Sequence, residues 1–188
     1  MGQESDENGP LWVFAYGSLM WRPGFDHVGR VRARMDGFRR AFCMWSIHYR
    51  GTEDRPGLVL ALDPEPGASC EGIGYEVSAE ARDTVLDYLR ERELVSYAYN
   101  ETWHEMELAD GRRVKAVTYV MNQTHAQYCG RIGLENQADI IARSAGTMGP
   151  NSDYLFSTVA HLQEMGCPDP EMEALERAVR ARVTGLPE

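Results

Sequence analysis

The sequence predicts an α+β domain, on three observations. Strand-forming stretches punctuated by Gly, Pro, Asn and Asp occupy the chain as far as Met121, interrupted by one helical stretch. Three helical stretches fill the remainder. Strands first and helices after is the order of an α+β architecture. Finally, 188 residues, 43% hydrophobic and 26% charged, suit one domain with a full core. Residues 11–188 are expected as that domain, with the last helix docked on it.

Residues 1–10 are expected as a disordered acidic tail, because Gln3, Glu4, Ser5, Asp6, Glu7 and Asn8 bring no apolar surface to offset the entropy of ordering. Trp12–Tyr16 is apolar, β-branched and aromatic, and reads as a short buried strand running into Gly17-Ser18. Two readings of that turn stand side by side. In one it merely ends the strand. In the other its successive N–H groups form a nest for an anion or a polarised carbonyl oxygen, with Gly17 allowing close approach and Ser18 adding a hydroxyl. Trp21–Phe25, with Pro23-Gly24, is a connecting loop.

Val28–Met35 alternates apolar and basic residues as a half-buried strand does. Asp36-Gly37 predicts a hairpin turn, and Phe38–Trp45 the antiparallel return. Ser46–Thr52 ends that strand, followed by a turn at Glu53–Gly57. Within it Arg50 either holds a carboxylate at a pocket mouth or marks a hydrated strand end. Leu58–Leu62 is an unbroken apolar run, hence a central strand, which Asp63-Pro64-Glu65-Pro66-Gly67 closes. Cys70–Val77 resumes as a strand whose Gly72 and Gly74 suggest a bulge or the sharp bend of a barrel.

Ser78 caps a helix over Glu80–Glu91, with Ala81, Val85, Leu86 and Leu89 at helical spacing. That helix delivers Arg90-Glu91-Arg92-Glu93-Leu94-Val95-Ser96-Tyr97. The alternating charges read as a solvated face, yet Glu93, followed by Leu94-Val95, could instead turn inward where the helix ends. Tyr97–Glu107 and Arg113–Met121 form a hairpin about Asp110-Gly111, and Asn122–Arg131 is a polar loop. Helices are expected at roughly 134–144, closed by Gly146, and 152–165, with Asn151 as N-cap and Gly166 as C-cap. The last, at 171–183, has Asp169 as N-cap, Pro170 at its first position and a docking stripe of Met172, Leu175, Val179 and Val183.

Composition excludes several function classes. A net charge of −10 without a basic stripe argues against a nucleic-acid partner. No apolar run approaches membrane-spanning length, and the acidic start is the opposite of a signal peptide, so no membrane partner is expected. Cys43, Cys70, Cys129 and Cys167 are scattered and read as reduced thiols of a cytoplasmic protein. The five histidines show no metal-ligand spacing. The expected assembly is a monomer or homodimer.

Seven short stretches, taken in chain order, carry a family resemblance. They are Tyr16-Gly17-Ser18-Leu19, Trp21 with Pro23-Gly24-Phe25, Tyr49-Arg50-Gly51, Pro56-Gly57, Ala68-Ser69-Cys70-Glu71-Gly72, Tyr88-Leu89 leading into Arg92-Glu93, and Gly149-Pro150-Asn151 before Tyr154-Leu155-Phe156. Over about residues 11–165 the chain resembles the ChaC-like γ-glutamylcyclotransferases. The resemblance implies a small mixed β-barrel with flanking helices. It also implies a small-molecule substrate, typically glutathione, cleaved into 5-oxoproline and cysteinylglycine with no metal and no redox cofactor. The family's catalytic glutamate lies in an Arg-Glu-Lys-Gly-Gly-Tyr stretch, which places the role on Glu93; Leu94-Val95-Ser96 departs from Lys-Gly-Gly. Ile47-His48-Tyr49 stands where glutathione-specific members have Thr-Asp-His. The turn Gly17-Ser18-Leu19 is implied as the γ-glutamyl site, with Tyr16 and Tyr154 lining the pocket and Arg50 contacting a carboxylate.

The chemistry suits such residues. The substrate's α-amine attacks its own γ-carbonyl, so holding the flexible chain folded can be worth on the order of 7–11 kcal/mol. One carboxylate can take a proton from the ammonium and return it to the departing amine. An ordinary glutamate, with a pKa of about 4.3, is a weak base. Desolvation beside Leu94 and Val95 raises it and a close Arg92 lowers it, so Glu93 is expected to point inward and Arg92 away. Three rivals are weighed: a cyclotransferase for another γ-glutamyl amine or peptide, a non-catalytic γ-glutamyl-binding module, and a Cys43–His48 hydrolase. The last pair would face opposite sides of one strand.

Overall fold

The computed structural model describes residues 9–184, so the expected tail lies, apart from Gly9 and Pro10, outside the described residues. The chain divides into two compact units, one formed by the chain up to Arg39 with Leu62–Asn122, the other by Arg40–Ala61 with Gln123 onward.

The first unit is built on β1 (Leu11–Ala15), β2 (Gly29–Ser46), β3 (Gly57–Val77), β4 (Tyr99–Leu108) and β5 (Arg113–Met121), of which β2 and β3 run on into the second. They close a barrel in the order β1-β3-β2-β4-β5. Strand β1 is buried throughout, as its apolar run predicts. It pairs antiparallel with β3, from Leu11 opposite Val77 to Ala15 opposite Ile73. On its other side it pairs parallel with β5, Trp12 opposite Ala116 and Val13 opposite Val117. That parallel seam makes the barrel mixed. The β4–β5 hairpin turns at Asp110-Gly111 as expected, with Gly111 at φ +87°.

Two expected turns are absent. Asp36-Gly37 makes no hairpin: β2 continues through it to Ser46. Ala33 and Met35 are buried two apart, but the next buried residue is Phe38, so the alternation slips by one across Gly37, whose φ is +85°. A one-residue slip at a left-handed glycine is the mark of a bulge, and the turn signal serves that instead. Likewise Asp63-Pro64-Glu65-Pro66-Gly67 does not end a strand but lies inside β3. Asp63 and Glu65, two apart, share a strand face, and Arg39 of β2 reaches both, at 3.9 Å and 2.6 Å. Proline's fixed φ is compatible with that extended path.

Gly72 is needed for its lack of a side chain, and Gly74 is closely fitted. A methyl at Gly74 would crowd Met106 Cε and Leu108 of β4; one at Gly72 would overlap the Ala15 carbonyl oxygen at the end of β1. Gly72→Ala is therefore expected to lower stability by about 1–3 kcal/mol through overpacking. A thermal melt checks the loss, and a melting temperature matching the parent's contradicts it.

A single 3-10 turn precedes α1 (Arg82–Glu93), which buries Val85, Leu86 and Leu89.

The second unit holds α2 (Leu134–Arg143), the two-residue strands β6 (Ala145–Gly146) and β7 (Gly149–Pro150), α3 (Asn151–Glu164) and α4 (Pro170–Val183). Helix α4 packs against α2 and α3 and buries Met172, Leu175 and Val179, while Val183 stays 38% exposed. Asp169 caps α4 as expected, accepting from the Glu171 and Met172 amides, and its other oxygen takes a 2.9 Å bond from buried Arg40. Two expected caps differ. Gly146 pairs with Gly149 rather than closing α2. Asn151 is the first residue of α3, not its cap, because its side chain is already engaged elsewhere. Fully buried, it accepts from Leu58 N at 2.7 Å and donates to Leu58 O at 2.8 Å, standing in for a neighbouring strand.

Candidate functional site

In the first unit β1 delivers Tyr16, whose hydroxyl donates to Tyr119 O at 3.0 Å, so Tyr16 anchors the strand end to β5. Gly17 lies outside the regular helical and extended regions, at φ −135° and ψ −131°, and Ser18–Met20 makes one 3-10 turn. Bonds from Met20 N to Gly17 O and from Arg22 N to Ser18 O, both 2.8 Å, close it. Leu19 and Met20 are buried, which roots the turn, and the buried Tyr75 hydroxyl donates to Met20 O at 2.5 Å. Ser18 is exposed. The leading amides of such a turn have no partner within it, as the nest reading requires.

Glu93 is the last residue of α1. The helix stops where Leu94 leaves the helical region, and three residues on Tyr97 takes φ +56°, uncommon for a bulky side chain. Only 17% of the Glu93 side chain is exposed. Burial pushes its carboxyl above the usual range, and the Arg92 charge pulls in the opposite direction. The expected inward turn of Glu93 agrees with this burial. Its expected cause is only half present: Leu94 is partly buried, but Val95 is 77% exposed.

Arg92 does not point away, contrary to expectation. Its Nε lies 3.3 Å from Glu93 Oε1. Its Nη1 donates to Arg22 O at 2.7 Å, Tyr88 OH at 3.0 Å and Pro23 O at 3.2 Å, and Nη2 to Ser18 Oγ at 3.2 Å. A guanidinium at the end of α1 finds main-chain carbonyls in reach, and these hold it where open solvent would not. Through it the structure links the Ser18 turn to Glu93.

Beside them, buried Tyr119 donates its hydroxyl to Glu101 at 3.3 Å, and Arg90 grips Glu101 with two bonds of 2.8 and 2.9 Å. Burial and the negative charges of Glu101 and Glu93 push the Tyr119 phenol up, while Arg90 chiefly holds Glu101 below the usual carboxylate range.

In the second unit Arg50 and Tyr154 meet each other. The Arg50 guanidinium lies 5.4 Å from the Tyr154 ring centre, and that ring packs edge-on to Phe42. Arg50 Nη1 donates to Met148 O at 2.8 Å and Pro150 O at 3.1 Å. Arg50 thus ties the 46–51 segment to the β6–β7 hairpin.

Sequence reasoning named Tyr88 and Arg92 in the family motif without linking them or giving either a place in the site, and it missed Tyr119. Tyr88 precedes Arg92 by four, a same-face helical spacing that could have paired them. Tyr119 carried no signal beyond its place in an apolar strand. Among the described residues no cluster of three or more His, Cys, Asp or Glu is placed to hold a metal ion. All four cysteines are free thiols.

Comparison with known proteins adds the following. The family model described as ChaC-like protein matches residues 11–182. A protein named glutathione-specific gamma-glutamylcyclotransferase from Escherichia coli (strain K12) is 34% identical over 174 residues, 93% of this chain and 74% of its own length. Glutathione-specific gamma-glutamylcyclotransferase 1 of Homo sapiens is 33% identical over 184 residues, 94% of this chain and 80% of its own. A solved yeast cyclotransferase described as specific to glutathione superposes with a TM-score of 0.79 at 24% identity, over 93% of this chain and 99% of that one, and so shares the fold.

Proposed function

The chain belongs to the ChaC-like family, and from that premise we propose that it is a γ-glutamylcyclotransferase that cleaves glutathione into 5-oxoproline and cysteinylglycine, with Glu93 moving the proton. The observation that carries the reading is a mostly buried carboxyl of raised proton affinity, linked through one guanidinium to the turn at the end of β1. Relatives named for glutathione, matched over 74% and 80% of their own lengths, support the substrate.

The γ-glutamyl group lies folded on the Gly17-Ser18-Leu19 turn. Glu93 takes a proton from the α-ammonium, and the freed amine attacks the γ-carbonyl carbon. The oxyanion that develops is met by the turn's amides, which are fixed before the reaction begins. The proton on Glu93 then passes to the departing nitrogen as the amide C–N bond breaks, and the attacking nitrogen gives its second proton to the vacated Glu93 carboxylate, from which it reaches the released amine. The lactam closes, cysteinylglycine leaves with its amine restored, and no water is consumed. Tyr16 and Leu19 hold the turn in place.

The substrate is thus a small molecule. We place the protein in the cytoplasm, where thiols stay reduced, as a monomer or homodimer without nucleic-acid or membrane partners. No helix among the described residues is long and apolar enough to cross a membrane.

Incubation with glutathione, followed by mass spectrometry, is expected to show 5-oxoproline and cysteinylglycine in equal amounts. Release from other γ-glutamyl amines is expected to be slower. Turnover of those alone would move the substrate assignment to them, and binding without any turnover would leave a sensing module.

A further inference from the structure

The Arg92 side chain makes five polar contacts within one guanidinium's reach, to four places in the chain: the Ser18 hydroxyl, the loop carbonyls of Arg22 and Pro23, the Tyr88 hydroxyl and the Glu93 carboxylate. The loop it grips is itself closely fitted, since a methyl at Gly24 would overlap the Tyr88 hydroxyl that Arg92 holds. The planar fork of arginine can serve such divergent acceptors at once, whereas a lysine presents a single point charge.

We propose that Arg92 is a positioning residue for the cyclisation, fixing the Ser18 turn and the 22–23 loop against Glu93 so that the γ-carbonyl and the proton-transfer group stay in register. The inference rests on the reading of Glu93 as the proton-transfer group. Arg92 has two separable effects. Its fork sets geometry, and a misplacement of about 1 Å can cost roughly 10²-fold in rate. Its charge opposes the burial that raises Glu93's proton affinity. The charged and titratable groups about Glu93 are Arg92 on its own helix, Tyr119 of β5, and behind Tyr119 the Glu101–Arg90 pair.

The test compares Arg92→Gln and Arg92→Lys in the full chain, following 5-oxoproline release against pH. A base must be unprotonated to act, so activity rises through the pKa of Glu93. Without the positive charge that pKa climbs further, and the acid limb of kcat/KM moves to higher pH in Arg92→Gln. Its kcat is expected to fall about 10–100-fold, with a much smaller change in KM. Arg92→Lys keeps the charge, so its acid limb stays near that of the parent while kcat remains low. An unchanged kcat in either folded variant overturns the proposal. So does a lowered kcat in Arg92→Gln with the acid limb unmoved, the result of a merely structural role. If Arg92→Gln does not fold, Arg92→Lys decides on kcat. A Glu93→Gln control separates the two readings: if it stays active, the Glu93 assignment fails; if it is inactive beside normal Arg92 variants, only the positioning role fails.

Discussion

Glu93→Gln is expected to lose turnover by about 10²–10⁴-fold, the usual span of a positioned acid–base group. The amide keeps the size of the side chain and a hydrogen-bonding oxygen but can no longer shuttle the proton between the two nitrogens. Stability should not fall with it. Burial raises the carboxyl's pKa in the folded protein, so the native state holds that proton more tightly than the unfolded chain does. Stability from this group is therefore present at low pH and declines as pH rises through the raised pKa. At neutral pH the ionised form is a cost that glutamine removes. Circular-dichroism melts beside the 5-oxoproline assay check both halves. Parent-like turnover in a well-folded variant would remove Glu93 from the mechanism.

Asn151→Asp is expected to give the largest loss of stability. The Asn151 amide satisfies both backbone groups of Leu58 in a fully buried place. An aspartate keeps the acceptor for Leu58 N but sets a carboxylate oxygen against Leu58 O and buries a charge without a cation. The cost should reach about 3 kcal/mol or more, lowering the melting temperature by roughly 6–12 °C for a chain of this size. Protonation replaces the lost donor. Aspartate's native pKa is then raised above its unfolded value, and the variant should recover part of the loss as pH falls. Melts at neutral and acid pH test this, and a difference that does not shrink on acidification contradicts it.

Local chemistry made some elements readable from the residues and left others hidden. Strand β1, the β4–β5 hairpin, α1 and the Asp169 cap of α4 are set by neighbours in sequence, and the periodicity or the turn residues declare them. The full lengths of β2 and β3 depend on partners across the sheet. Gly37 looks like a hairpin glycine until its left-handed φ is seen to serve a bulge, and the prolines of β3 look like breakers until Arg39 is seen bridging Asp63 and Glu65. Asn151 follows the same logic: capping is its local preference, yet Leu58, remote in sequence, takes the side chain. At the candidate site the turn at Tyr16–Leu19 and the inward Glu93 were legible, the latter through the apolar residue beside it and the family motif. The direction of Arg92 was not, because it is decided by carbonyls of a loop 70 residues earlier in the chain.

The parallel seam between β1 and β5 has a consequence for how the protein is made. Phe14 O accepts from a threonine 104 residues downstream, so the first strand leaves the ribosome long before its seam partner exists. An apolar segment of this kind has to wait for late, non-local pairing, which is slow and leaves it open to aggregation. The turn at 16–19 hangs from that strand, so a nascent chain has no assembled pocket until β5 has emerged, and truncation before Ala116 should yield an inert product.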